Sequence, residues 1–226
     1  MITETMNIQE VNREIIRIFP ELMRIILSKS KHRERQSRKK GYPDDSSSYE
    51  IDGVIFTVFY FEYEGYDVNR IFCRYRDNIG PIYAYVSSPK PGKYSILHFL
   101  KHALEQYNNR LDLQLIQTKD ILFHMSKYGL TMVRQEVSKL NDNLQKVFWV
   151  SNIGLWLGES GNTFKDLNTH LNLVRTFIDV SLKRDDQEAI LDDVALERLL
   201  VFEKTLGDDE YARRMVNQLI ELFKRK

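Results

Sequence analysis

The chain lacks the features that mark several common classes of protein. Its 226 residues include one cysteine, Cys73, so no intrachain disulfide can form and we expect a reducing, cytoplasmic location. No apolar run approaches the roughly twenty residues that cross a bilayer, which predicts the absence of a transmembrane segment. The first ten residues include Glu4 and Glu10 and no continuous apolar stretch, which predicts no secretory signal.

Net charge of either sign is also nearly absent. The 33 lysines and arginines balance 32 aspartates and glutamates, which leaves +1 at neutral pH. This balance excludes a uniformly basic nucleic-acid-binding domain, so any basic surface must be local. With 42% hydrophobic residues and only 10 glycines and 5 prolines, the chain can bury a core and is not of low complexity.

Common signatures of catalysis are missing as well. The sequence contains no G-x-x-x-x-G-K-[ST] phosphate loop, no G-x-G-x-x-G dinucleotide motif, no G-x-S-x-G nucleophile elbow and no H-E-x-x-H zinc motif. We therefore expect a protein that is not an enzyme and that uses no small-molecule cofactor.

The N-terminal part of the chain predicts a helix and then an exposed loop. Apolar residues at helical spacing indicate a helix over 7–28, with Asn7 and Glu10 spaced as a capping box. Pro20 is expected to kink or split this helix. Residues 29–48 carry many cations and no apolar period, which indicates a basic exposed loop.

Dense aromatic and β-branched runs predict a sheet over 50–87, with 50–63 as its first strand. Short turns between its three strands favour an antiparallel meander. Residues 111–116 alternate well enough to be a candidate fourth strand. A helix that covers the sheet is predicted over 95–108.

Beyond residue 118 the apolar residues fall at spacings of three and four, which predicts helices. The predicted fold class is α+β: an N-terminal helix and a three- to four-stranded antiparallel meander packed with helices, followed by a C-terminal antiparallel helical bundle. The α+β part covers 1–117 and the bundle 118–226, and we expect both to pack as one compact unit. The predicted helices of the second part are 119–127, 130–150, 163–183, 186–206 and 209–225.

Two groups of cations are candidates for binding nucleic acid or an acidic partner. Arg70, Arg74 and Arg76 alternate along one predicted strand, and Tyr83 and Tyr85 would add stacking rings if they share that face. The alternative is a sheet face laid against helices, with its arginines paired at the edge. The second group lies in the predicted loop, where it either contacts an anionic partner or is solvated surface, and consists of Lys29, Lys31, Arg33, Arg35, Arg38, Lys39 and Lys40.

A narrow apolar seam is predicted on the C-terminal helices. Val133, Val137, Leu140 and Leu144 recur at heptad-like spacing, which suits packing against one other helix. That helix belongs either to the same bundle or to a partner subunit or protein.

A metal site is the remaining candidate. His98, His102 and Glu105 share one face of the helix predicted over 95–108. Two imidazoles one turn apart and a carboxylate can hold a metal ion. The glutamate that directly follows the first histidine in zinc hydrolases is missing, however, and the alternative is two solvated histidines. We therefore predict no metal.

Three functions follow from these candidates, in order. The first is a non-catalytic protein-interaction or assembly protein, an adaptor or scaffold with an α+β recognition surface and a helical oligomerisation or docking part. The second is a nucleic-acid-binding protein that uses the arginine and tyrosine face and the basic loop. The third is a metal-dependent enzyme.

Overall fold

A computed structural model describes residues 2–40, 45–63, 66–77, 79–90, 93–130, 133–141, 144–151, 153–164, 167 and 169–179. Within these ranges the chain forms three helices and nine strands. The helices are α1 (Ile8–Lys40), α2 (Lys101–Arg110) and α3 (Thr118–Tyr128). The strands are β1 (Asp45–Ile51), β2 (Val54–Tyr63), β3 (Tyr66–Arg76), β4 (Pro81–Lys90), β5 (Lys93–Leu100), β6 (Val133–Asn141), β7 (Leu144–Ser151), β8 (Gly154–Phe164) and β9 (Thr169–Asp179).

The chain divides into two compact units that interleave in sequence. The first unit holds the described residues of Met1–Lys101, Asp142–Leu144 and Glu159–Val174. The second holds those of His102–Asn141, Gln145–Gly158 and Arg175–Lys226. The expectation that the predicted parts pack as one compact unit stays a prediction.

The first unit is built on a mixed sheet. Its described residues contribute to seven strands in the order β1-β2-β3-β4-β5-β9-β8. Strands β1 to β5 pair with their neighbours in antiparallel fashion. Strand β5 pairs with β9 in parallel, with His98 opposite Leu173 and Phe99 opposite Val174.

Helix α1 covers one face of this sheet. Asn7 caps it as predicted, because the Glu10 amide donates to Asn7 Oδ1 at 3.0 Å and the Asn7 amide donates to Glu10 Oε2 at 2.8 Å. Pro20 lies within the helix, which continues past it. The core joins the apolar stripe of α1 to alternate residues of the strands and includes Val11, Ile15, Ile18, Leu22, Ile26, Phe56, Val58, Ile71, Cys73, Ala84, Val86 and Ile96.

The second unit contains α2, α3 and the strand order β9-β8-β7-β6. Its centre is aromatic: the Tyr107 ring stacks on Trp156 with centroids 5.1 Å apart. Phe177 meets both rings, with centroids 5.0 Å from Tyr107 and 4.7 Å from Trp156. The indole N–H of Trp156 donates to the Gly129 carbonyl at 3.2 Å, which fixes the ring against the end of α3.

The predicted fold class is wrong, because the C-terminal helical bundle is absent from the described part of the chain. The helices predicted over 130–150 and 163–183 are replaced by strands β6 to β9. In β7 the side chains of Val147, Trp149 and Ser151, which lie at alternate positions on one strand face, are all buried. The helices predicted over 186–206 and 209–225 lie outside the described residues.

Three boundaries in the N-terminal part also need correction. The basic loop predicted over 29–48 is helical through Lys40, and β1 begins at Asp45. The strand predicted over 50–63 is a hairpin, because β1 and β2 meet at a turn. The helix predicted over 95–108 starts as strand β5 and becomes helical only at α2.

The stretch 111–116 forms no strand. Asp112 and Gln114 have φ values of 49° and 54°, which break an extended conformation. The Asn108 side chain instead holds the backbone of Leu115 through two hydrogen bonds of 3.1 Å. The short helix predicted over 119–127 is confirmed as α3, and the amide of Gly129 closes it by donating to the Met125 carbonyl at 2.7 Å.

Candidate functional site

Residues 29–40 of α1, which we call the basic segment, follow the part of the helix that belongs to the core. Ile26 is the last core residue of the stripe, and no apolar residue occurs from 28 to 40. The segment has seven cations and one carboxylate, Glu34, and therefore a net charge of +6. Because the whole chain carries +1, the remaining residues together carry −5.

The helical backbone distributes these cations over two sides. Successive residues rotate by about 100° around an α-helix, so residues 29, 33 and 40 lie on one side. Positions 31, 35 and 38 fall on the opposite side, and positions 34 and 39 fall between the two rows. By helical position alone the segment therefore has two cationic rows and no apolar row.

The start of the basic segment is anchored to the sheet. Lys29 Nζ lies over the Tyr49 ring, 4.6 Å from its centroid, in a cation–π contact. The Tyr49 hydroxyl is in turn 3.1 Å from the Tyr60 hydroxyl, and both tyrosines are buried. This contact ties the first residue of the basic segment to the sheet.

The second group of cations lies on strand β3, on the sheet face opposite α1. Arg70 and Arg74 alternate with Ile71 and Cys73, whose side chains belong to the core under α1. Arg74 pairs in register with Tyr83 on β4, and its guanidinium carbon is 6.0 Å from that ring centroid. Alternation along the strands thus places these cations and tyrosines on one face, which the sequence had left open for the tyrosines.

The rings of this face are poorly placed for base stacking. Phe72 is 1% exposed and Tyr83 is 6% exposed, so neither offers a free ring face. Tyr85 is half-buried, and the Arg70 guanidinium carbon lies 5.9 Å from the centroid of its ring. Cations therefore already occupy positions over the rings that a base would need.

The arginines of β3 differ in their partners. Arg76 Nε lies 3.5 Å from Glu4 Oε1, and both side chains are exposed, so this ion pair contributes little. Among the described residues no carboxylate pairs with Arg70 or Arg74. Arg70 Nη1 donates to the Tyr85 hydroxyl at 3.2 Å, whereas its buried Nε has no hydrogen-bond partner.

His98, which the sequence offered only as a candidate metal ligand with His102 and Glu105, is buried in strand β5. Its Nδ1 lies 2.9 Å from the Tyr75 hydroxyl and its Nε2 lies 2.8 Å from Asn12 Oδ1. Asn12 Oδ1 can only accept, so Nε2 carries the proton and Nδ1 accepts from Tyr75. Both ring nitrogens are thus engaged within the first unit, which leaves no lone pair for a metal ion.

The surroundings of His98 decide its ionisation. Burial lowers its pKa from 6.5 to about 3, because the charged imidazolium would lose its hydration. Burial likewise raises the pKa of Tyr75, so both groups stay neutral near pH 7. His102 and Glu105 are exposed on α2. Within the described residues no group of three or more histidine, cysteine or acidic side chains could hold a metal ion.

The sequence did not indicate the polar partners of His98. Asn12 is completely buried in α1, and its Nδ2 has no hydrogen-bond partner. Tyr75 also lines a cavity of about 720 Å³ near the start of α1, together with Met6, Asp77 and Ile82. A histidine surrounded by apolar residues gives no sign of which distant side chains it meets, so no sequence signal would have found this cluster.

A second histidine contact, which is partly buried, lies in the second unit. The Tyr107 hydroxyl is 2.9 Å from His124 Nδ1, and the His124 ring contacts Tyr128 with centroids 4.8 Å apart. Burial lowers the pKa of His124 and raises that of Tyr107. These groups support the aromatic centre, and the sequence offered no reason to join them.

The remaining candidates do not assemble as the sequence suggested. Val133, Val137 and Leu140 lie on β6 and Leu144 begins β7, so they form no helical seam. Cys73 is buried in β3, and burial raises its pKa to about 12, which rules out an activated thiolate.

Comparison with protein-family models, with curated proteins and with solved structures finds no match to this chain. Among the described helices none is long and apolar enough to cross a membrane.

Proposed function

We propose that the protein is a non-catalytic, cytoplasmic nucleic-acid-binding protein that holds its ligand through the basic segment of α1. The observation that carries this proposal is the continuity of α1 through Lys40, which gives a run of cations a defined helical form. At 1.5 Å per residue the twelve positions of the segment extend over about 18 Å.

The charge of the segment matches that of a nucleic-acid backbone. Duplex DNA carries one negative charge per about 1.7 Å of its axis, so a length of about 18 Å presents about ten phosphates. Seven cations are available to meet them. The rest of the chain carries −5 and repels phosphate, which directs the ligand to the segment.

The two cationic rows favour a duplex groove over a flat surface. The major groove of B-DNA is about 12 Å wide, admits an α-helix and has a phosphate backbone on each wall. A helix with cations on opposite sides can meet both walls. An anionic membrane would instead require one apolar row, which residues 28–40 do not contain.

A protein partner is supported less well. Protein interfaces draw most of their affinity from aromatic and arginine anchors in dry pockets, and the basic segment offers no aromatic or aliphatic side chain. The protein-interaction or assembly function stays a prediction from the sequence. The helical docking part on which it relied is withdrawn, because β6 to β9 occupy most of 133–179.

Neutralising one cationic row tests the proposal. The triple variant Lys31→Gln, Arg35→Gln, Arg38→Gln keeps residues with good helix propensity and removes three charges. Fluorescence anisotropy with a labelled 20-base-pair duplex at about 0.1 M salt should show affinity falling roughly a hundredfold. Each lost phosphate contact forfeits the release of about one counterion.

The matched control removes three exposed cations elsewhere, through Arg24→Gln, Lys93→Gln and Lys119→Gln. This variant has the same net charge as the first, and it should bind DNA nearly as tightly as the unmodified chain. Equal loss in both triple variants would attribute binding to net charge and refute a defined site. Absence of duplex binding by the unmodified chain would refute the proposed function itself.

A further inference from the structure

A cavity of about 720 Å³ lies within the first unit and includes no residue of the basic segment. Its walls come from the residues before and at the start of α1, from the end of β3 and the turn after it, and from single residues of β4 and β9. This volume falls in the range of about 300–1,000 Å³ that is usual for small-molecule sites. Such sites combine an apolar wall with a few fixed polar groups, and the cavity has both.

The wall of the cavity is apolar and aromatic. Ile82 and Tyr75 are buried, and Met6, Ile8 and Leu171 are half-buried. These side chains can cover the hydrocarbon part of a ligand and remove it from water. An aromatic ring in such a wall also attracts a cation through its π electrons.

The charged side chains that line the cavity are both carboxylates, those of Asp77 and Glu4. Asp77 is half-buried and held in place, because its Oδ1 accepts from the amides of Ile79 at 2.9 Å and Gly80 at 2.8 Å. Among the described residues no cation pairs with Asp77, whereas Glu4 lies 3.5 Å from Arg76. Asp77 thus brings a fixed and uncompensated negative charge to the cavity.

The neutral polar groups near the wall favour a cation as well. The Tyr75 hydroxyl donates to His98 Nδ1 at 2.9 Å, so it can offer only lone pairs to a further partner. The start of α1 carries about half a positive charge from the helix dipole, which on its own would favour an anion. The Glu10 carboxylate already accepts from the Asn7 amide there at 2.8 Å, however, and a whole negative charge outweighs that half.

We propose that this cavity binds a small organic cation, an ammonium compound with an apolar body, and that Asp77 holds its charge. The ammonium group donates to Asp77 Oδ2, which the turn after β3 does not use. The apolar body packs against Met6, Ile82 and Leu171. A metal ion fits less well, because the described residues hold no group of three or more side chains able to ligate one.

Isothermal titration with phenethylammonium chloride at constant ionic strength tests the proposal. The unmodified chain should bind one equivalent, and Asp77→Asn should weaken binding at least about tenfold, because the ammonium loses a charged acceptor. The Asn oxygen can still accept from Ile79 and Gly80, so this variant is expected to fold, which urea unfolding checks. Met6→Trp leaves the charge unchanged but fills the cavity, and it should abolish binding.

Two controls separate this site from other charges. Glu50→Gln removes one negative charge at an exposed position of β1 and should leave amine binding unchanged. The Lys31, Arg35, Arg38 triple variant should lose duplex binding yet keep amine binding, so the two proposals can fail separately. No saturable binding of phenethylammonium by the unmodified chain, or equal losses in Glu50→Gln and Asp77→Asn, would overturn the proposal.

The ligand class has its own test. The neutral analogue 2-phenylethanol should bind at least about tenfold more weakly than phenethylammonium, because it leaves the carboxylate without a counter-charge. Phenethyltrimethylammonium cannot donate a hydrogen bond and should also bind more weakly than the primary amine. Equal binding of 2-phenylethanol would overturn the assignment to a cation. Displacement of the amine by calcium chloride at the same ionic strength, in a manner that Asp77→Asn abolishes, would show an inorganic cation site and overturn it as well.

Discussion

Replacing His98 by phenylalanine should remove a specific acid sensitivity from the first unit. In the folded chain burial lowers the pKa of His98 to about 3, whereas its ordinary value is 6.5. As the pH falls below 6.5 the unfolded chain takes up a proton at this residue, and the folded chain does not until about pH 3. The contribution of His98 to stability is therefore complete above 6.5 and is lost progressively through this window.

The expected loss of stability follows from the width of the pH window between 6.5 and about 3. One pKa unit corresponds to about 1.4 kcal/mol, so the drop from pH 6.5 to pH 5 should lower the free energy of unfolding by about 2 kcal/mol. The His98→Phe variant cannot take up this proton, so its free energy of unfolding should not show this decrease between pH 6.5 and pH 5. At pH 7 it should be less stable by about 2–4 kcal/mol, because the buried Tyr75 hydroxyl and Asn12 carbonyl lose their partner.

Urea unfolding at pH 7, 6 and 5 measures both effects. Tyr75→Phe is a matched variant that loses one hydrogen bond but keeps the histidine, so it should be destabilised and retain this decrease. His102→Gln changes an exposed histidine and should leave stability at pH 7 unchanged. The reasoning is refuted if His98→Phe loses as much stability between pH 6.5 and 5 as the unmodified chain.

Two further predictions concern packing and capping. A Cβ on Gly154 would lie 2.5 Å from Cζ of Phe177, so Gly154→Ala should lower the free energy of unfolding by about 3 kcal/mol, measured by thermal unfolding. Gly80→Ala is the control: no atom lies within 4 Å of its added Cβ, so it should lower stability by less than about 0.5 kcal/mol. Glu10→Ala removes half of the capping box with Asn7 and should cost about 1 kcal/mol in urea unfolding, which equal midpoints would contradict.

Part of the fold follows from the sequence, because local signals suffice for it. The start of α1 was predictable from the capping box of Asn7 and Glu10, and the end of α3 from Gly129. The turn at Asp52 and Gly53 was missed although an Asp-Gly pair is a strong hairpin signal. Both residues have positive φ, 51° and 72°, which turns the chain back on itself.

The hydrophobic pattern of strand β5 does not distinguish a strand from a helix. Ile96, Leu97, His98 and Phe99 are buried in succession, since both faces of the strand are covered. A short run of this kind fits a buried helix equally well, and only its pairing with β4 and β9 decides.

The C-terminal strands show how a spacing of three and four can mislead. Val133, Val137 and Leu140 match a helical period, but β-branched residues fit a pleated sheet and the polar stretch from 141 to 143 separates two strands. A sheet draws its stability from strands distant in sequence, which local periodicity does not record.

The candidate site was foreseeable only in part. Alternation along one strand predicted that Arg70 and Arg74 share a face, whereas the sequence left open whether Tyr83 and Tyr85 share it. The burial of Tyr83 depends on tertiary packing, as does the finding that no carboxylate among the described residues pairs with Arg70. The helical form of the basic segment was missed because a run of cations gives no apolar period.

The salt dependence of duplex binding tests the central claim most directly. If all seven cations of the basic segment meet phosphates, the logarithm of the binding constant should fall against the logarithm of salt concentration with a slope of about −6. In the Lys31, Arg35, Arg38 triple variant the slope should weaken to about −3 or −4. An unchanged slope in that variant would show that these cations do not contact the nucleic acid, and the account of α1 would be wrong.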